Sequence, residues 1–90
     1  IPEIEYEIVK EESGVEFRIA KLLIAFASKI RSMQELELVE TISTRLLINA
    51  GKLISKGLDC KIACNISIIQ PLTDDKDIQK SLIDLLNLFF

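Results

Sequence analysis

An arginine sits near the start of the run Ser43-Thr44-Arg45-Leu46-Leu47, where a helix-forming stretch begins. The helix macrodipole places partial positive charge at that end, so a cation there costs about 0.3–1 kcal/mol unless an anion joins it. Free backbone N–H groups at a helix N-terminus favour the same anion. A phosphate near Arg45 answers both, because the guanidinium presents a planar fork matched to phosphate oxygens. Arg45, Asn49, Lys52 and Lys56 follow the spacing i, i+4, i+7 and i+11, so they share one helix face with the arginine at its head. Leu46, Leu47, Ala50, Leu53 and Ile54 point the other way, towards a core. An ordinary solvated face has the same pattern.

The remaining polar residues offer less. Asp74, Asp75 and Asp77 cluster where another helix opens, and carboxylates there complement the dipole more often than they hold a metal or move a proton. Cys60 and Cys64 are the only cysteines. One helical turn apart, they share a face, which is poor disulfide spacing and too few ligands for tetrahedral zinc. They read as small apolar residues of a reducing, cytoplasmic compartment. The chain has no histidine, the commonest general base, so a metal site would need carboxylates or a second chain. It carries no G-x-x-x-x-G-K-[ST], no G-x-G-x-x-G and no G-x-S-x-G. These ninety residues are therefore expected to catalyse nothing alone and to hold no metal.

The elements that must position Arg45 are helices. Pro2 at a first helical position opens one to about Glu12, with Ile4 and Ile8 along it, and Ser13-Gly14 stops it through a left-handed cap. A second, about Val15 to Met33, sets Arg18, Lys21, Ser28, Lys29 and Ser32 in a narrow stripe. Phe17, Ile19, Leu22, Leu23, Ile24, Phe26 and Ile30 cover the rest, so this helix is expected at the centre. Gln34 to Ile42 alternates like a strand but has no partner strand, and reads as an extended loop pinned by Leu36 and Leu38. Ser43 caps a third helix to Lys56, closed by Gly57. Asp59 caps a fourth, Cys60 to Ile69, ended by Pro71. Thr73-Asp74-Asp75 precedes a fifth, Asp75 to Leu88, where Ile78, Leu82, Leu85, Leu86 and Phe89 repeat at the helical period. Leu88-Phe89-Phe90 either folds back onto the core or meets another domain or subunit. The whole is an all-α, five-helix bundle in one domain.

Charge narrows the partners. The net charge of −3 is uneven: residues 1–16 carry −5 and residues 17–90 carry +2. A nucleic-acid binder needs a basic face to displace counterions, and this chain lacks that balance. The acidic start reads as a solvated helix face. The longest apolar run, Leu22 to Ala27, falls far short of the roughly 20 residues that span a bilayer, so no membrane partner is expected. No signal peptide shows, and Ile1 as first residue points to a trimmed fragment.

Taken together, Ser43-Thr44-Arg45-Leu46-Leu47-Ile48, then Ala50, Leu53-Ile54 and Gly57, then Ala63 and Pro71-Leu72-Thr73-Asp74-Asp75, resemble the C-terminal domain of the CbbQ/NirQ/NorQ family. These are AAA+ ATPases related to the MoxR group. The resemblance implies a helical lid, residues 1–90, cut from a larger ATPase whose preceding α/β core holds the Walker motifs and binds ATP with Mg. It implies that Arg45 is the sensor-2 residue that reaches the γ-phosphate, with Ser43, Thr44 and Asn49 in support; Asn49 stands where relatives often carry an aromatic. The complete protein would resemble a chaperone that activates a metalloenzyme or carboxylating enzyme, such as a nitric oxide reductase or rubisco. Its implied partners are its own core, the other subunits of a ring oligomer, a von Willebrand A-type protein and the target enzyme. A free-standing helical interaction module, docking through Leu88-Phe89-Phe90 and the acidic first helix, is the alternative.

Overall fold

The computed structural model describes residues 2–33 and 42–90, and every regular element among them is a helix. Helix α1 spans Pro2–Ser13 and stops at Gly14, whose φ of +83° is open to glycine and strained for other residues. Helix α2 is Phe17–Arg31, two residues shorter at each end than its apolar pattern predicts. Helix α3, Thr44–Ser55, ends in a Schellman cap: the Leu58 N–H donates to the Leu53 carbonyl at 3.0 Å and the Gly57 N–H to that of Ile54 at 2.9 Å. Gly57 takes φ +103° to allow it. The extended reading of Gln34 to Ile42 falls outside the described residues, apart from Ile42, which is buried.

Helix α4 corrects the sequence reading. It continues past Ile69 and through Pro71 as one element, residues 60–72: an α-helical Cys60–Cys64, a π turn Asn65–Ile69, and Gln70–Leu72. Proline has no N–H, and its ring crowds the carbonyl four residues back, so it normally kinks or ends a helix. Here the wider π register intervenes, with the Gln70 N–H donating to the Asn65 carbonyl five residues back. The chain turns only after Leu72. Thr73 then accepts the Asp75 N–H on Oγ1 at 3.1 Å and the Gln79 side-chain amide on its carbonyl at 2.7 Å. Helix α5, Lys76–Phe89, follows, capped by Asp75.

The described helices number five, as expected. Phe26, Leu23 and Ile30 of α2 meet Val9, Leu47, Ile68, Ile69, Leu72, Leu82 and Leu86 in one fully buried core. Helix α2 shares the centre with α3: α2 packs on α1, α3 and α5, and α3 on α1, α2 and α4. Phe17 is not in that core; it is 43% exposed, with Lys21 Nζ over its ring at 5.6 Å. Phe89 folds back onto Phe26, ring centroids 5.9 Å apart, and Phe90 also packs against the core, whereas Leu88 is left outside.

Candidate functional site

The start of α3 is built differently from the starts of α4 and α5. Asp59 caps α4 by accepting the Lys61 and Ile62 N–H groups, and Asp75 caps α5 by accepting those of Asp77 and Ile78. Ser43 takes the extended backbone of a cap residue, φ −108° and ψ 163°, but its hydroxyl makes no capping bond. No acidic residue lies in the first turn of α3. A carboxylate arrives there from another helix.

That carboxylate is Glu5. Its Oε2 accepts the Thr44 hydroxyl at 2.8 Å and its two oxygens face the Arg31 guanidinium at 3.3 and 3.2 Å. Arg31 Nε donates to the Ile42 carbonyl at 3.3 Å, two residues before α3 begins. One ion pair thus joins α1, the last turn of α2 and the entry to α3. The Glu5 side chain keeps only 19% of its exposure. The bidentate Arg31 contact holds its carboxyl below the ordinary glutamate value; partial burial opposes this, and the Thr44 hydroxyl adds to it.

Sequence reasoning missed Glu5 and Arg31. The acidic start of the chain reads as a solvated face, and for Glu3, Glu7, Glu11, Glu12 and Glu16 it is one. Ile4 and Ile8, the apolar residues noted along α1, are 55% and 41% exposed. The line that faces the fold is Glu5, Val9 and Ser13, also at i, i+4 and i+8, and a glutamate within it has no apolar signal to reveal it.

Of the residues singled out from the sequence, Arg45 and Asn49 lie exposed on one face of α3, with Lys52 and Lys56 continuing it. Arg45 makes no hydrogen bond or ion pair among the described residues. Thr44 turns inward to Glu5, and Ser43 is exposed. Three surface cavities lined by described residues lie elsewhere: one of about 470 Å³ beside Tyr6, Arg18 and Lys21, one of about 390 Å³ beside Gly14, Arg18 and Ser55, and one of about 260 Å³ beside Lys61, Ile62 and Asn87. Among the described residues no three cysteine or carboxylate side chains gather as a metal site would require. Among the described residues no helix is long and apolar enough to cross a membrane.

Comparison with known proteins places this geometry in context. Residues 5–89 match the CbbQ/NirQ/NorQ C-terminal family. The chain is 48% identical over 81 residues to the protein CbbQ of Hydrogenophilus thermoluteolus, an alignment covering 90% of this chain and 30% of that one. It is 38% identical over 84 residues to the protein NorQ of Paracoccus denitrificans, covering 93% and 31%. It is 36% identical over 84 residues to the denitrification regulatory protein NirQ of Pseudomonas aeruginosa, covering 93% and 32%. The chain therefore spans about a third of the length of these relatives.

Proposed function

Because the chain belongs to the CbbQ/NirQ/NorQ C-terminal family, we propose that it is the nucleotide-sensing lid of a cytoplasmic AAA+ ATPase. The observation that carries this reading is the placement of Arg45: an exposed guanidinium in the first turn of α3, unpaired among the described residues. A cation held at the positive end of a helix is out of electrostatic balance until an anion arrives. A phosphate oxygen beyond the surface restores that balance through a charge-assisted hydrogen bond.

The residues present fit one part of an ATP site and no more. Arg45 would hold the γ-phosphate, with Asn49 beside it and Lys52 and Lys56 adding positive potential behind. Among the described residues no carboxylate cluster suits Mg, and in this reading the metal and the Walker motifs belong to the α/β core of the same chain. ATP supplies the bond that is broken. Arg45 supplies a donor that strengthens as negative charge builds on the departing phosphoryl oxygens. In this reading the complete protein works as a ring oligomer with a von Willebrand A-type partner, and activates a target enzyme such as a nitric oxide reductase or rubisco.

The test is made in the complete protein. Arg45→Ala should lower ATP hydrolysis about tenfold or more, with Arg45→Lys intermediate because it keeps the charge and loses the fork. Nucleotide-dependent assembly should weaken in parallel. Unchanged turnover and assembly in Arg45→Ala would rule Arg45 out as the sensor.

A further inference from the structure

Helix α3 begins without a side-chain cap of its own, and what holds its first turn comes from two other helices. Thr44, its first residue, donates to Glu5 of α1; the Ile42 carbonyl, just ahead of it, accepts from Arg31 of α2; and Glu5 and Arg31 bind each other through two bonds. The backbone is therefore anchored on both sides of Ser43. Arg45 follows directly after the anchored Thr44. A long, exposed side chain has many rotamers, and where its head can reach is decided by the orientation of the backbone that carries it.

We propose that Glu5 is a positioning residue for Arg45: clamped by Arg31, its carboxylate holds Thr44 and so fixes the first turn of α3 from which the Arg45 guanidinium extends. This rests on the nucleotide-sensing reading of Arg45 for its functional consequence, though not for its geometry. The arrangement differs from a local cap such as Asp59 or Asp75 in what it connects. A local cap secures one helix. The Glu5–Arg31 pair makes the direction of Arg45 depend on how α1 and α2 sit against α3, so a pull on Arg45 is felt by three helices.

The experiment uses the complete protein with Glu5→Gln, Thr44→Val and Thr44→Ser, each alone and combined with Arg45→Ala. Glu5→Gln removes the charge that Arg31 clamps, Thr44→Val removes the hydroxyl at constant shape, and Thr44→Ser keeps it. Glu5→Gln and Thr44→Val should each lower the rate of ATP hydrolysis about five- to tenfold, and Thr44→Ser should restore it to within about twofold. On an Arg45→Ala background the same substitutions should cost no further activity, because residues acting through one group are not additive. Full activity in Glu5→Gln and Thr44→Val, or losses that add to those of Arg45→Ala, would overturn the proposal while leaving Arg45 as the sensor. Backbone hydrogen exchange supplies a readout independent of ATP. The Leu46 N–H, which closes the first turn onto the Ser43 carbonyl at 3.1 Å, should exchange at least about fivefold faster in Thr44→Val than in Thr44→Ser. Equal exchange in the two variants overturns the positioning role. If Arg45→Ala leaves hydrolysis unchanged, the sensing reading fails, and the exchange result alone decides the positioning one.

Discussion

Two sets of like residues show how far apart the same side chain can be driven by its surroundings. Cys60 and Cys64 share a helix face, yet Cys60 is half-buried and Cys64 fully buried. Burial pushes the Cys64 thiol up to about 12, and the nearby Cys60 and Asp59 add to the shift. Since the thiolate is the nucleophile, the folded protein treated with iodoacetamide at pH 8 should gain a single adduct, at Cys60. Intact mass should show the second adduct only after unfolding; rapid double labelling of the folded chain would contradict this burial. Glu5 differs from its five exposed neighbours in the same way. Its lowered pKa means that its contribution to stability is complete above about pH 4.3, glutamate's ordinary value, and is lost as pH falls through the lower folded-state value. The melting-temperature gap between the parent and Glu5→Gln should thus be steady near neutral pH and close in that acidic window. A gap that stays constant down to pH 3 would show that charge is not what Glu5 contributes.

Helix α3 owes its position to a glycine that its own propensity disfavours. Gly51 lies mid-helix, where alanine would be better by roughly 1 kcal/mol, but a Cβ added there would stand 2.5 Å from Ser13 Oγ and 2.6 Å from Ser13 Cβ. Ser13 cannot easily give way, being buried and donating to the Val9 carbonyl within α1. Gly51→Ala should therefore destabilise the fold by about 1–3 kcal/mol in urea titration, despite its gain in helix propensity. Stabilisation instead would mean that α1 and α3 are not in close contact at this point. The starts and stops of most helices were legible in the sequence because they are local chemistry: Asp59, Asp75, Gly14 and Gly57 each act within a few residues of themselves. Pro71 was misread for the complementary reason. Whether a proline ends a helix or is carried through depends on the hydrogen-bond register before it, and nothing in the residue types from 65 to 69 announces a π turn.

For the molecule as a whole, packing of α2 against α5 closes the bundle. Phe26 is fully buried and meets Phe89 edge-on, so the last helix is held by an aromatic contact spanning most of the chain. Phe26→Ala should cost about 3–5 kcal/mol, a large share of the roughly 5–15 kcal/mol available to a domain of this size. The urea midpoint should fall accordingly, and a shift worth less than about 1 kcal/mol would place Phe26 outside the essential core.

The sequence by itself determined the class of fold, the number of helices, the polar line led by Arg45 and the family resemblance, since each depends on periodicity or on residues close together in the chain. Tertiary structure alone decided what stands at the foot of that line. Glu5 and Arg31 are 26 residues apart, and Glu5 and Thr44 are 39 apart. No local pattern links such positions; only the packing of α1 and α2 against α3 brings their charges within hydrogen-bond reach. Arg45 was visible as a cation at the wrong end of a helix. The fold shows that the carboxylate brought there from α1, Glu5, is taken up by Arg31 and Thr44, leaving the arginine itself turned outward.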